Sequence, residues 1–77
     1  MEIKVLGTGC ANCKRTITLI DEAAKAKGVN VQLEKVEDIR AIMTYGVLST
    51  PGVVINGKVV HAGGVPSRDK IEQWLAS

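Results

Sequence analysis

Seventy-seven residues, 45% of them apolar and 23% charged, suffice for one small core and leave no room for a second. The formal net charge is only +2, the basic residues are interspersed with acidic ones, and Tyr45 and Trp74 are the only aromatics, which argues against nucleic-acid binding, a base-stacking platform or an electrostatic membrane surface. No stretch reaches the length of a membrane span, and "MEIKVLG" lacks the basic-then-apolar layout of a leader, so a cytoplasmic, monomeric, single-domain protein over residues 1–77 is expected.

Residues 2–6, "EIKVL", alternate apolar and polar and end at Gly7, which predicts a strand. From Asn12 to Lys27 the period becomes helical. Cys13, Ile17, Ile20 and Ala24 follow at spacings of four, three and four and share one face, and Gly28 closes the helix. Val29, Val31 and Leu33 then alternate with Asn30, Gln32 and Glu34, predicting a second strand with one buried face. Ile39, Ile42 and Met43 form a short helical stripe ended by Gly46. Val53–Ile55 and Lys58–Val60 flank Asn56-Gly57, a strong hairpin signal because both turn residues tolerate positive φ. Pro51 stands just before the first of these runs, where it breaks no ladder. Ser67 suits an N-cap with Asp69 in the first turn, and Ile71, Trp74 and Leu75 supply the buried stripe of a last helix. The order β-α-β-α-β-β-α describes an α/β fold. A right-handed parallel crossover and an antiparallel hairpin share one mixed four-stranded sheet, flanked by three helices.

The cysteines at positions 10 and 13, in "GTGCANCK", sit where the first strand gives way to a helix. Unpaired backbone N–H groups and the helix dipole favour a thiolate there, and the thiolate is the reactive form. An unperturbed thiol of pKa ~8.5 is only about 3% ionised at pH 7, so a lowered pKa raises reactivity directly. The register separates the two sulfurs. Cys13 is in line with the inward stripe, whereas Cys10 precedes the helix behind the small residues Gly7, Thr8 and Gly9. Cys10 is therefore read as the exposed nucleophile and Cys13 as the shielded resolving thiol. Two other uses of the pair stay open at this point. A structural staple would close a very small ring and add only about 2 kcal/mol. Two thiolates at this spacing can also hold Cu(I) or half of a zinc site, for which His61 is the only further nitrogen ligand in the chain. A lone His beside a strand is otherwise structural or solvated.

With "GTGCANC" after the first strand, "STPGVVINGKVV" as the hairpin and Gly63-Gly64 before the last helix, the sequence resembles the thioredoxin and glutaredoxin superfamily. Within it, the chain looks most like the short thioredoxin-like small redox-active disulfide proteins of prokaryotes. The resemblance covers nearly the whole chain. It implies a thioredoxin-like fold and a thiol–disulfide oxidoreductase, acting as a protein-disulfide reductase or electron carrier. Cys10 and Cys13 are the catalytic pair it implies. Thr8, Gly9, Ala11, Asn12, Thr50, Pro51, Gly63 and Gly64 would lie on the substrate side. It further implies a cis Thr50-Pro51 bond beside the cysteines, aimed so that an extended substrate segment can pair with the Thr50 backbone. Gly63-Gly64 is open to two readings, a close backbone approach to a ligand or a turn into the last helix.

The implied partners are disulfide-containing target proteins and a separate reductase, thioredoxin-reductase-like or other. No nucleotide- or flavin-binding motif is present, so no bound cofactor is expected beyond the Cys10–Cys13 disulfide, and no metal. The residues between the cysteines are Ala11-Asn12, neither the Gly-Pro of thioredoxin nor the Pro-Tyr of glutaredoxin. Gly9 stands where thioredoxin has a tryptophan, and the first strand holds no acidic residue beyond Glu2. Two alternatives remain. A metal carrier of the heavy-metal-associated type would have the order β-α-β-β-α-β, ending on a strand, where this chain ends on a helical pattern. A non-catalytic redox sensor could use the same fold.

Overall fold

Local backbone devices mark several of the element boundaries, and the seven elements follow in the predicted order. A computed structural model describes residues 1–9 and 11–76. The strands are β1 (Glu2–Leu6), β2 (Gln32–Val36), β3 (Gly52–Ile55) and β4 (Lys58–Ala62), and the helices α1 (Ala11–Lys27), α2 (Ile39–Thr44) and α3 (Arg68–Ala76). α1 stops in a paired C-terminal lock. Gly28, at φ +69°, donates to the Lys25 carbonyl at 3.2 Å, and Val29 donates to the Ala24 carbonyl at 2.9 Å. The hairpin turns at Asn56 and Gly57, with φ of +49° and +84°, the left-handed pair that its strands' twist favours. Ser67 caps α3 by accepting from Lys70 N–H at 3.2 Å.

The sheet runs in the order β2-β1-β3-β4. β1 is parallel to β2, with Leu6 opposite Val36, and antiparallel to β3, with Leu6 opposite Gly52. β3 and β4 pair antiparallel with Gly52 opposite Ala62, and a bulge at Val53/Val54 leaves Val60 without a partner in the register. Strand alternation gives the sheet two apolar faces. On one, Ile3, Val5 and Val53 pack with Ile20, Ala23 and Ala24 of α1 and Ile71 and Leu75 of α3. On the other, Leu6 and Val54 pack with Ile42 of α2 and with Val47. Lys4 shares that second face. Its ammonium donates to the Tyr45 hydroxyl at 3.3 Å, a bond that raises its pKa above the ordinary value.

Four details depart from the sequence reading. The second strand begins at Gln32 rather than Val29, because residues 29–31 are spent turning from the helix lock to the sheet. Val29 and Val31 still pack, half-buried, against the core, and Gln32 N–H reaches the Met1 carbonyl at 2.8 Å to start the ladder. On α1 the buried face centres on Thr16 rather than Ile17. The Thr16 hydroxyl donates to the Asn12 carbonyl at 2.8 Å, so it enters the core already paired. On α2 only Ile42 is buried, while Ile39 and Met43 are 61% and 64% exposed, because a six-residue helix offers the sheet one anchor. Trp74 is half-buried rather than part of the buried stripe, at the edge where α3 meets β4.

The two isoleucine environments give a direct contrast. Ile20→Ala is expected to cost about 2–5 kcal/mol in chemical denaturation, as a fully buried side chain leaving a cavity should. Ile39→Ala is expected to fall within about 0.5 kcal/mol of the parent.

Candidate functional site

The register brings four chain segments to one end of the sheet. Beyond Leu6, opposite Gly52 and Val36, come Gly7, Pro51 and Glu37 on three neighbouring strands, and Gly63 follows Ala62 on the fourth. Two backbone bonds tie these ends together. Gly7 N–H donates to the Val36 carbonyl at 2.9 Å, and Gly63 N–H donates to the Pro51 carbonyl at 3.0 Å. The Thr50-Pro51 peptide bond is cis. Pro51 is fully buried, while Thr50 is exposed beside it.

α1 begins immediately after this junction and places Cys13 in its first turn, 3% exposed. The approach to β1 is so close that a Cβ built at Gly7 would fall into the Cys13 sulfur, and would lie 3.2 Å from Cys13 Cβ and 3.8 Å from Thr50 Cβ. Gly7 is buried and has no positive φ, so space and not backbone conformation demands glycine there. Cys13 and Thr50, 37 positions apart in the chain, thus meet at Gly7. A Cβ at Gly63 would come within 3.1 Å of Ser49 Cβ, which puts the Gly63-Gly64 turn against the segment leading into Pro51.

Of the residues singled out in the sequence, Cys13, Thr50, Pro51 and Gly63 are thereby brought together. Gly64 is exposed at φ +72°, and a Cβ there would meet nothing within 4 Å. Thr8, Gly9, Ala11 and Asn12 are exposed around the start of α1, Gly9 with φ +83°. Cys10 lies outside the described residues. Beside Cys13 a cavity of about 60 Å³ is lined also by Val5, Gly7, Gly9, Lys14, Ile17, Lys35 and Glu37, room enough for water next to a buried sulfur. The Glu37 carboxylate folds over Gly9, where a Cβ would lie 3.2 Å from its Oε2.

Gly7, Lys35 and Glu37 were not identified as site residues from the sequence. The available signal for Gly7 was a glycine directly after a strand and three residues before a cysteine. Lys35 and Glu37 become neighbours of the thiol only through the parallel register of β1 and β2. Among the described residues, no group of three or more His, Cys, Asp or Glu side chains could hold a metal ion, and no helix is long and apolar enough to cross a membrane.

A family model described as a thioredoxin domain matches residues 1–76. The chain belongs to the thioredoxin family. It is 33% identical to a thioredoxin of Methanothermobacter thermautotrophicus over 76 residues, which is 99% of either chain. It is also 33% identical to a thioredoxin of Methanocaldococcus jannaschii, over 97% of this chain and 86% of that one. In fold it is similar to the solution structure of oxidised thioredoxin from Plasmodium falciparum. The TM-score is 0.64 at 22% identity, with 97% of this chain and 77% of that one covered. The order β-α-β-α-β-β-α, the four-stranded mixed sheet and the three helices are those of the thioredoxin-like fold. Membership in the thioredoxin family suggests thiol–disulfide oxidoreductase chemistry on protein disulfides, with redox-active cysteines and no bound cofactor.

The tight Gly7 position makes a stability prediction. Gly7→Ala forces a methyl into the volume of the Cys13 sulfur, and should lower stability by about 1–3 kcal/mol in urea or guanidinium titration. A loss below 0.5 kcal/mol would mean that the β1–α1 junction yields.

Proposed function

We propose that this thioredoxin-family chain, acting as one domain, is a protein-disulfide reductase and electron carrier whose working couple is Cys10–Cys13. The observation that carries this reading is that the Cys13 sulfur and Thr50 both crowd the one position where a Gly7 Cβ would stand. A buried sulfur and an exposed chain edge at one junction suit exchange with an extended disulfide-bearing segment. In this reading Thr50 offers its backbone to that segment by strand addition, as Gly63-Gly64 closes the far side. Thr8, Gly9, Ala11 and Asn12 form the exposed rim against which the segment lies.

The Cys10 thiolate attacks one sulfur of the target disulfide. A Cys10–target bond forms, the target's S–S bond breaks, and the departing sulfur leaves as a thiolate that takes a proton. Cys13, 3% exposed, is out of reach of a protein target and waits for this intermediate. Once deprotonated, its thiolate attacks the Cys10 sulfur, and the second target sulfur leaves and takes up a proton. The target has then gained two electrons and two protons, and the chain holds the Cys10–Cys13 disulfide. A separate reductase returns two electrons to restore the dithiol, because the sequence holds no nucleotide- or flavin-binding motif.

Single-cysteine variants test the roles. Cys13→Ser is expected to accumulate a mixed disulfide through Cys10 with a model protein disulfide such as insulin, and to lose at least about 100-fold in multiple-turnover reduction driven by dithiothreitol. Cys10→Ser is expected to trap nothing. Trapping by Cys10→Ser instead would reverse the assignment. Tight Cu(I) or Zn binding by a wild-type chain that exchanges no disulfide would replace the reading with a metal carrier.

A further inference from the structure

The Gly63-Gly64 turn borders the proposed target groove, yet it has little means of holding its own shape. Both residues have positive φ, +82° and +72°, and neither has a side chain to anchor. A neighbouring side chain does the holding. His61, half-buried on β4, has Nε2 at 2.9 Å from the Gly64 carbonyl oxygen and Nδ1 at 3.1 Å from Lys70 Nζ on α3. A carbonyl only accepts and an ammonium only donates. Both contacts are hydrogen bonds in one state alone, the neutral ring with its proton on Nε2. The ring also lies against Trp74, with centroids 6.1 Å apart and planes at 59°, and Lys70 Nζ stands 6.0 Å from the Trp74 centroid. His61 therefore ties the turn to α3, and Gly63 N–H passes that constraint to the Pro51 carbonyl at 3.0 Å.

We propose that His61 is a positioning residue for target binding: by donating from Nε2 to the Gly64 carbonyl, with Lys70 occupying Nδ1, it fixes the turn that faces Thr50-Pro51. Its role is exerted through the turn. The proposal rests on the exchange reading, since Thr50-Pro51 is what gives the fixed turn its purpose. Loss of the latch lets the turn sample conformations in which the groove is misaligned, so target capture weakens while the chemical step, made by the cysteines, does not.

Two measurements test it. Ring nitrogen NMR shifts of the wild-type chain, at a pH where His61 is neutral, should report the Nε2–H tautomer. An Nδ1–H tautomer would overturn the proposal without reference to activity. In disulfide reduction, His61→Leu should raise KM for a protein disulfide about fivefold, the effect of one lost hydrogen bond, with kcat within about twofold. His61→Gln, whose amide nitrogen can reach the Gly64 carbonyl, should restore KM. An unchanged KM in His61→Leu sinks the idea, as does failure of His61→Gln to rescue. If His61→Leu does not fold, Lys70→Met removes the donor that selects the tautomer, and the ring should shift toward a mixture. No shift would count against the latch. A wild-type chain that reduces no disulfide defeats the exchange reading, while the tautomer measurement still decides whether the latch exists.

Discussion

The end of β1 has no room for a side chain, and the arrangement of the site follows from that. At Gly7 the first turn of α1 comes down onto the strand closely enough that a methyl group would overlap the Cys13 sulfur, and Thr50 borders the same position. A larger residue would push α1 away from the sheet at the end where the thiol sits. The fully buried Ile20 anchors the same helix lower down, between β1 and α3. The helix is therefore pinned by apolar packing along its length and by absent volume at its mouth. The two constraints together fix how deep Cys13 lies.

The second ingredient is register. Because β1 runs antiparallel to β3 and parallel to β2, the exit of β1 coincides with the entry of β3 and the exit of β2. The antiparallel hairpin then returns β4 to the same end. Residues far apart in sequence converge without any of them needing a specific side-chain contact. Pro51 fits this scheme because it lies outside the β3 ladder and owes the sheet no N–H. Its carbonyl is free to accept from Gly63, which joins the last two segments of the site.

How much of this was legible in the sequence depends on whether each feature is local. The Asn56-Gly57 hairpin, the Gly28 lock and the Ser67 cap are decided within four or five residues, and pattern reading placed them correctly. The Val29–Leu33 alternation was misplaced as a strand because a connector packing against the core from one side shows the same period as a strand. The Ile39–Met43 stripe located α2 but not its burial, because amphipathic spacing indicates which residues could share a face. It does not show that the face is covered, and a six-residue helix with one buried anchor leaves the others in solvent. Thr16 was passed over because its polarity hides the fact that its hydroxyl is satisfied by its own helix. The proximity of Thr50 to Cys13 had no local signature. Only family resemblance suggested it, and Gly7, the residue that permits it, looks in sequence like an ordinary strand end.

His61 illustrates the same limit from the other direction. As a lone histidine on a β-branched run it invites either a metal reading or dismissal as solvated. Its significance lies in what the fold sets around it, a carbonyl on one side and an ammonium on the other. Groups of opposite hydrogen-bonding character on the two ring nitrogens leave the imidazole one tautomer that satisfies both, so the ring is held in orientation as well as position. The glycines of the turn give close approach and open backbone at the expense of definition. A held ring on the adjacent strand supplies the definition without adding bulk to the groove. Gly7 and the Gly63-Gly64 turn are thus complementary solutions at one sheet end: the first is tight because nothing can be added, and the second stays open because its order is imposed from outside.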